Sequence, residues 1–507
     1  MLKTTPEYRI WLRPALLVLC LISFIGADAQ TVYVSSSAGS DTATGLTPSD
    51  PVQTIARARN IGDDIRLRAG DTFYEYLRGG NFNLSPYLDS DGNKSMPVLS
   101  GFRIIPAEAS SRLWERGSWG PDGSWRKDSV GTIWRLDLLA DGFTGYTGNI
   151  RENEHRNIHN IGAIYDPQQD RIYGRKCQCI CRESFENLSE KRTGSPYRYL
   201  QKDMDFFQTK DDYRYLYVLA EDASLLQDHE LWLSMGADGI RGHDFNITGI
   251  KLTGWGKTAV RGGPHIRVTA CSFDIIGGST HEYEPYWIRF GNGAEFWADQ
   301  SEDVEVRDCH FSRIFDTATT IQGPMSKDRG SRCSDILIHH NDIERCRQDF
   351  EVWIRSEDGT MPERCRFIHN TGRNCGDNGF ETDEYNNTHL LHYILSPYRV
   401  EGILIEGNDF HDGTGLYYAN TAMDNLAIGS NVYHCVPGAP VIHGLFGKLS
   451  IDAPVFESGV YRFAEGISEN GVVIWGYSRS RKEALKRFER FINNLTGGSG
   501  FRLKLKE

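Results

Sequence analysis

The stretch ILIHHNDI (residues 336–343) is followed by CRFIHNTG (365–372) and ILIEGNDF (403–410), and preceded by IRVTACSF (266–273) and VEVRDCHF (304–311). LAIGSNVY (426–433) closes the series. Each segment has an apolar residue, one gap, another apolar or bulky residue, then Cys or Asn three places on. The starts fall 38, 32, 29, 38 and 23 residues apart. A coil of about 23 residues carrying loop insertions of varying length explains that spacing.

Strands this short cannot each bury a face alone. Stacked coil on coil, they form parallel sheets around one continuous apolar core. The column Cys271, Cys309, Asn341, Asn370, Asn408 and Asn431 then falls at one turn, where an inward Asn can satisfy backbone groups of the neighbouring rung. A leucine-rich repeat would show a Leu lattice, which is absent, and an all-β sandwich would not repeat the Asn. The expected fold is all-β, a right-handed parallel β-helix.

The flanks fit that expectation. Residues 31–60, TVYVSSSAGSDTATGLTPSDPVQTIARARN, give a strand, a Gly/Asp/Thr loop and a helix beginning near Pro51, as a solenoid's N-terminal cap would. The segment SRKEALKRFERFINNL (480–495) places Ala484, Leu485, Phe488, Phe491 and Ile492 on one helical face, a second plug. Between about 105 and 240 the repeat disappears, and DDYRYLYVLAEDASLLQDHELWLS (211–234) alternates like antiparallel strands. The expected organisation is 1–29 leader, 30–104 cap and first coil, 105–240 β-rich inserted domain, 241–478 β-helix, and 479–507 capping helix and tail.

The leader follows from Lys3, Arg9 and Arg13 ahead of an apolar run (15–27) and the small residues Ala27 and Ala29, a secretory pattern. An exported protein, periplasmic or secreted, with no membrane span is expected. Cleavage after Ala29 removes three basic and two acidic residues and takes the net charge from −12 to −13. Nucleic-acid binding needs Lys/Arg clusters, so it is not expected of so acidic a chain. CQCIC (177–181) lacks the usual two-residue zinc loop, and no metal is expected there. The remaining cysteines are scattered singly, so buried thiols and bridges both stay open.

Between one Asn turn and the next lies another strand per coil. Registering AEFW (294–297), TIQG (320–323), EVW (351–353) and GFET (379–382) by their inward residues, Phe296, Ile321, Val352 and Phe380, produces two outward columns. One holds Glu295, Thr320, Glu351 and Gly379; the other holds Trp297, Gln322, Trp353 and Glu381. Acids and tryptophans on one face suit a glycan, which stacks on aromatic rings and takes hydrogen bonds from planar polar groups. Asp316 lies in the turn before the strand bearing Gln322 and is expected to pair with Glu351 as acid and base. Glu381, Asp299 and Asp349 are further catalytic candidates, and Arg355 and His369 further substrate contacts. A lone outward Glu on such a face is ordinarily just solvated; the cluster is what points to chemistry.

The motifs GAEFWAD (293–299), VEVRDCHFSRIFDTATTIQG (304–323) and DILIHHNDIERCRQDFEVW (335–353) resemble exported bacterial β-helix proteins related to glycoside hydrolase family 141. FFQTKDDYRYLYV (206–218) does too. That family includes fucosidase and xylanase activities. The resemblance spans most of the mature chain, is specific mainly between about 290 and 385, and implies a carboxylate-using hydrolase, with which Asp316 and Glu351 are compatible. A monomer acting on a poly- or oligosaccharide without a cofactor is expected. The alternatives are a polysaccharide lyase and a non-catalytic glycan binder. A lyase would use Lys257, Arg289, Lys327 or Arg355 as base, with calcium at ETDE (381–384).

Overall fold

Strand Arg332–His339 buries Ile336 and Ile338 and turns Leu337 outward, the alternation of a strand with one covered face. Its neighbours Gln300–Arg307 and Cys365–Ile368 run parallel to it, so Val306, Ile338 and Phe367 stack in register inside. The same pattern recurs in three ten-stranded sheets, which the chain visits in rotation: first sheet, second sheet, third sheet, and back. Neighbouring strands pair parallel throughout, except the final pair of the third sheet, Pro440–Leu445 with Leu449–Asp452. The apolar core runs the length of this stack. Each fully buried Ile or Phe in it contributes about 1.5–3 kcal/mol.

This computed structural model describes residues 30–506 apart from 89–91, 120–123, 148–158, 177–199, 201, 209–212, 284–285, 381–387, 396–401, 420–426, 446–448 and 497–499. The leader, CQCIC and ETDE lie outside the described residues. The other seven cysteines are free and buried. No helix among the described residues is long and apolar enough to cross a membrane.

The Asn turn lies between the first and second sheets, and its side chains form a ladder. Asn341 Oδ1 accepts from Cys309 N (3.0 Å), Asn370 Oδ1 from Asn341 N (3.0 Å), Asn408 Oδ1 from Asn370 N (2.8 Å) and Asn431 Oδ1 from Asn408 N (2.9 Å). Each Nδ2 donates to a carbonyl of the preceding rung, as Asn370 does to Ile338 O at 3.1 Å. The residue before each ladder position is left-handed, including Ala270, Asp308, His340 and His369. His369 is thereby committed to this turn, on a different edge of the stack from the acid-bearing third sheet. Asn370→Ala would strand the Asn341 backbone N–H, one of the two Asn341 Nδ2 hydrogens and the side-chain bond to the Ile338 carbonyl, each at about 1–3 kcal/mol. The expected loss is at least about 3 kcal/mol in chemical denaturation.

A four-residue helix, Ile55–Ala58, follows the first strand, starting later than the Pro51 expected. The chain leaves the stack after Val98–Ser100 of the second sheet. Among the described residues it builds two five-stranded sheets whose strands pair antiparallel, and it returns at Ile240–Gly242 of the third sheet. That lobe is therefore rooted at the corner between the second and third sheets. At the far end, helix Arg481–Thr496 buries Ala484, Phe488, Phe491 and Ile492, with Leu485 half-buried against the same cluster.

Candidate active site

The third sheet carries the two outward columns in the expected register for three rungs. Glu295 pairs with Thr320 and Thr320 with Glu351; Trp297 pairs with Gln322 and Gln322 with Trp353. The fourth rung differs. Strand Leu390–Leu395 pairs with Gln348–Ser356, so Leu391 follows Glu351. Gly379 and Phe380 do not supply it: Gly379 is left-handed, and Phe380 is buried edge-on against Phe315 at 5.3 Å, capping the corner. Glu381 lies outside the described residues.

Glu351 is 8% exposed. Its Oε2 accepts from Thr320 Oγ1 (3.1 Å) and Gln322 Nε2 (2.9 Å), with Thr317 Oγ1 at 3.4 Å. Among the described residues no donor reaches Oε1, so a neutral Glu351 carries its proton there. Burial, and then the charge of Asp316, push its pKa up to about 8. Asp316 is 16% exposed and stands at the end of the preceding coil's turn, with Arg347 Nη1 at 3.4 Å from Oδ1. Thr317 pairs with Gln348, so Arg347 occupies on the next rung the place Asp316 holds on its own. Side-chain bonding ties the two rungs together: Thr317 Oγ1 donates to Gln348 Oε1 at 2.7 Å. Two carboxyls thus share the corner, one kept protonated and one beside a guanidinium.

Other candidates fall elsewhere. Glu295 is in its expected column but 2% exposed and fully engaged, with Arg261 (2.7 Å), Thr258 (3.2 Å) and Asn292 (3.1 Å). It is an internal counter-ion rather than a substrate contact. Asp349 is inside the stack. The N–H groups of Asp349 and Phe350 both bond His389 O, at 2.9 and 3.0 Å, a bulge that turns both side chains inward and leaves Glu351 outward. Asp349 Oδ2 meets His389 Nδ1 at 2.5 Å, sealed from solvent. Asp299 sits past the opposite end of strand Ala294–Trp297, its carbonyl accepting from Arg332 N at 3.0 Å, at the corner away from Asp316. Arg355 is exposed and pairs with Glu357 at 2.8 Å. Trp297 and Trp353 are half-buried on the outer face beside Gln322.

Of the candidate lyase bases, Arg289 is a structural tie. It bonds Gly278 O (2.8 Å) and Gly162 O (3.1 Å), with its guanidinium 4.3 Å from the Phe315 ring centroid. Lys327 is exposed and Lys257 half-buried. Among the described residues two groups bring three potential metal ligands within 4.8 Å: the sealed Asp349–Cys375–His389 and the half-buried Asp409–His411–His434 of the second sheet. Neither faces the Asp316–Glu351 corner. Sequence reasoning missed Arg347, although aligning RIFDT (313–317) with ERCRQ (344–348) would have placed it under Asp316.

No family model and no curated protein matches the chain. Solved structures resemble it in outline. The complex of XylC with xylose is 12% identical over 82% of this chain and 67% of that one, with a TM-score of 0.39. The family 136 lacto-N-biosidase from Eubacterium ramulus is 11% identical, with 85% of this chain covering 60% of that chain at a TM-score of 0.38. The Yersinia enterocolitica family 28 exopolygalacturonase is 11% identical over 83% and 77%, with a TM-score of 0.31. Likeness at these scores leaves the chemistry to be argued from the side chains alone.

Proposed function

We propose that this chain is a glycoside hydrolase in which Glu351 is the general acid and Asp316 the base or nucleophile. The observation that carries the reading is the buried Glu351 carboxyl beside the charge of Asp316. Glycoside cleavage needs one carboxyl protonated to assist the leaving oxygen and a second ionised to attack or to activate water. Glu351, held neutral by burial and by Asp316, with its donor-free oxygen carrying the proton, has the first property. Asp316, next to Arg347, is suited to the second. Thr320 and Gln322 fix the acid's orientation, and Trp297, in the neighbouring column, suits stacking against a sugar face.

The rotation of three sheets suits a right-handed parallel β-helix with its N-terminal cap and first coil in residues 30–104, in an exported, monomeric protein that works without a cofactor and is related to glycoside hydrolase family 141. The test is incubation with a polysaccharide panel, reading reducing ends and ultraviolet absorbance together. Hydrolysis raises reducing ends without an unsaturated product, and Asp316→Asn removes it. An absorbing, chelator-sensitive product would make the protein a lyase. Hydrolysis untouched by Asp316→Asn would remove this pair from the mechanism.

A further inference from the structure

Three short strands of the third sheet, Leu77–Gly79, Ile240–Gly242 and Val260–Gly262, read apolar–Arg–Gly each time: LRG, IRG and VRG. They stack in register, so Arg78, Arg241 and Arg261 form one outward column that runs on into Glu295, Thr320 and Glu351. Rungs are about 4.8 Å apart, and like charges directly opposite one another are destabilising. Glu295 neutralises Arg261 with a close pair, at 2.7 Å from both Nε and Nη2. Arg241 has no such partner among the described residues: Asp238 stands 3.9 Å away, and its guanidinium lies 5.3 Å from the Trp297 ring centroid.

Beside this column is a cleft of about 340 Å³ lined by Arg78, Arg241, His243, Trp297 and Gln300 together with three glycines. Among the described residues no carboxylate lines it, in a chain with an excess of 12 negative charges. The cleft lies on the same outer face as the candidate acid and is linked to it. Trp297 neighbours Gln322 on the next rung, and Gln322 donates to Glu351 at 2.9 Å.

We infer that this cleft is a subsite for an acid-bearing sugar, a glycan unit with a carboxylate or sulfate group, gripped by Arg241 next to Trp297. The inference rests on the hydrolase reading for its place along a glycan, but not for the binding itself. A guanidinium meets a carboxylate or sulfate through two parallel N–H···O bonds, which a neutral hydroxyl cannot match. Such a subsite would select glycans whose charged unit lies several rungs from the cleaved bond.

The experiment is calorimetric titration of the full chain with three probes: a galacturonate trimer, a sulfated galactose trimer and a neutral galactose trimer. At least one charged trimer is expected to bind ten-fold or more tighter than the neutral one, with affinity falling as salt rises. The arm that binds identifies carboxylate or sulfate. Arg241→Ala should abolish the preference and Arg241→Lys should retain part of it, with the melting temperature checked for each. Equal binding of all three trimers, no binding of either charged trimer, or a preference that survives in Arg241→Ala overturns the inference. The preference should persist in Glu351→Gln. Charge-selective binding without hydrolysis on any glycan would refute the hydrolase reading and leave the subsite standing; hydrolysis without charge preference would do the reverse.

Discussion

Glu351→Gln is expected to cut hydrolysis by about 10²- to 10⁴-fold and at the same time to make the folded chain more stable above neutral pH. The two effects have one cause. In the unfolded chain a Glu titrates near 4.5, whereas in the fold burial and Asp316 hold Glu351 at about 8. Between those values the folded chain keeps a proton that the unfolded chain gives up, so stability falls as pH rises through the window. The benefit is fully present below about 4.5 and is gone above about 8. A glutamine has no proton to lose and keeps an oxygen for Thr320 and Gln322. The stability gap between variant and wild type should therefore be small at pH 5 and widen toward pH 9, growing by on the order of 1.4 kcal/mol for each pH unit crossed inside the window. Urea denaturation at pH 5, 7 and 9 reads it directly. Parallel curves for the two proteins would mean that Glu351 ionises like an ordinary surface carboxyl.

His389→Ala is expected to have the largest effect on stability, a loss of about 3–5 kcal/mol, because it strips a buried carboxyl of its partner. His389 Nε2 contacts Asp412 O at 2.5 Å, and a carbonyl can only accept, so that nitrogen carries a hydrogen. Nδ1 faces Asp349 Oδ2 at 2.5 Å, while Asp349 Oδ1 is buried without a partner among the described residues. Removing the ring leaves both oxygens unpaired inside the core. The interior has been cleared for this pair: the inward column Phe273, Phe311, Ile343 is interrupted by Gly372 before Phe410 resumes it. A Cβ at position 372 would lie 1.9 Å from Asp349 Oδ2, so Gly372→Ala should be destabilising as well. Because the bulge at Asp349 aims Glu351 outward, His389→Ala should also lower kcat in whatever fraction stays folded. A transition midpoint unchanged in His389→Ala would show that the pair does not anchor the rung.

The stack and the first three rungs of the acid-bearing columns were legible because both depend on period: the inward apolar residue, the Asn ladder and the pleat repeat whatever the loop lengths. What escaped was local. Residues 379–382 match a strand in apolar pattern, yet Gly379 turns the chain and Phe380 is taken by Phe315 of the corner cluster, so the true fourth rung begins at Leu390. Asp349 has the parity of an outward residue, and a single bulge reverses it. His369 carries a catalytic residue type but serves the left-handed step before Asn370. The arginine column is hidden in the sequence because the excursion over residues 102–234 separates LRG from IRG, which pair only in the fold.

The ionisation of Glu351, followed by difference infrared spectroscopy on glutamate-labelled protein in wild type and in Asp316→Asn, tests the carboxyl pair without needing the substrate. One carboxyl should titrate near 8 in the wild type and move down towards the ordinary glutamate range once the aspartate's charge is gone. A wild-type Glu351 that already ionises in the ordinary range, or one that ignores the loss of Asp316, would contradict the pairing on which the catalytic proposal stands.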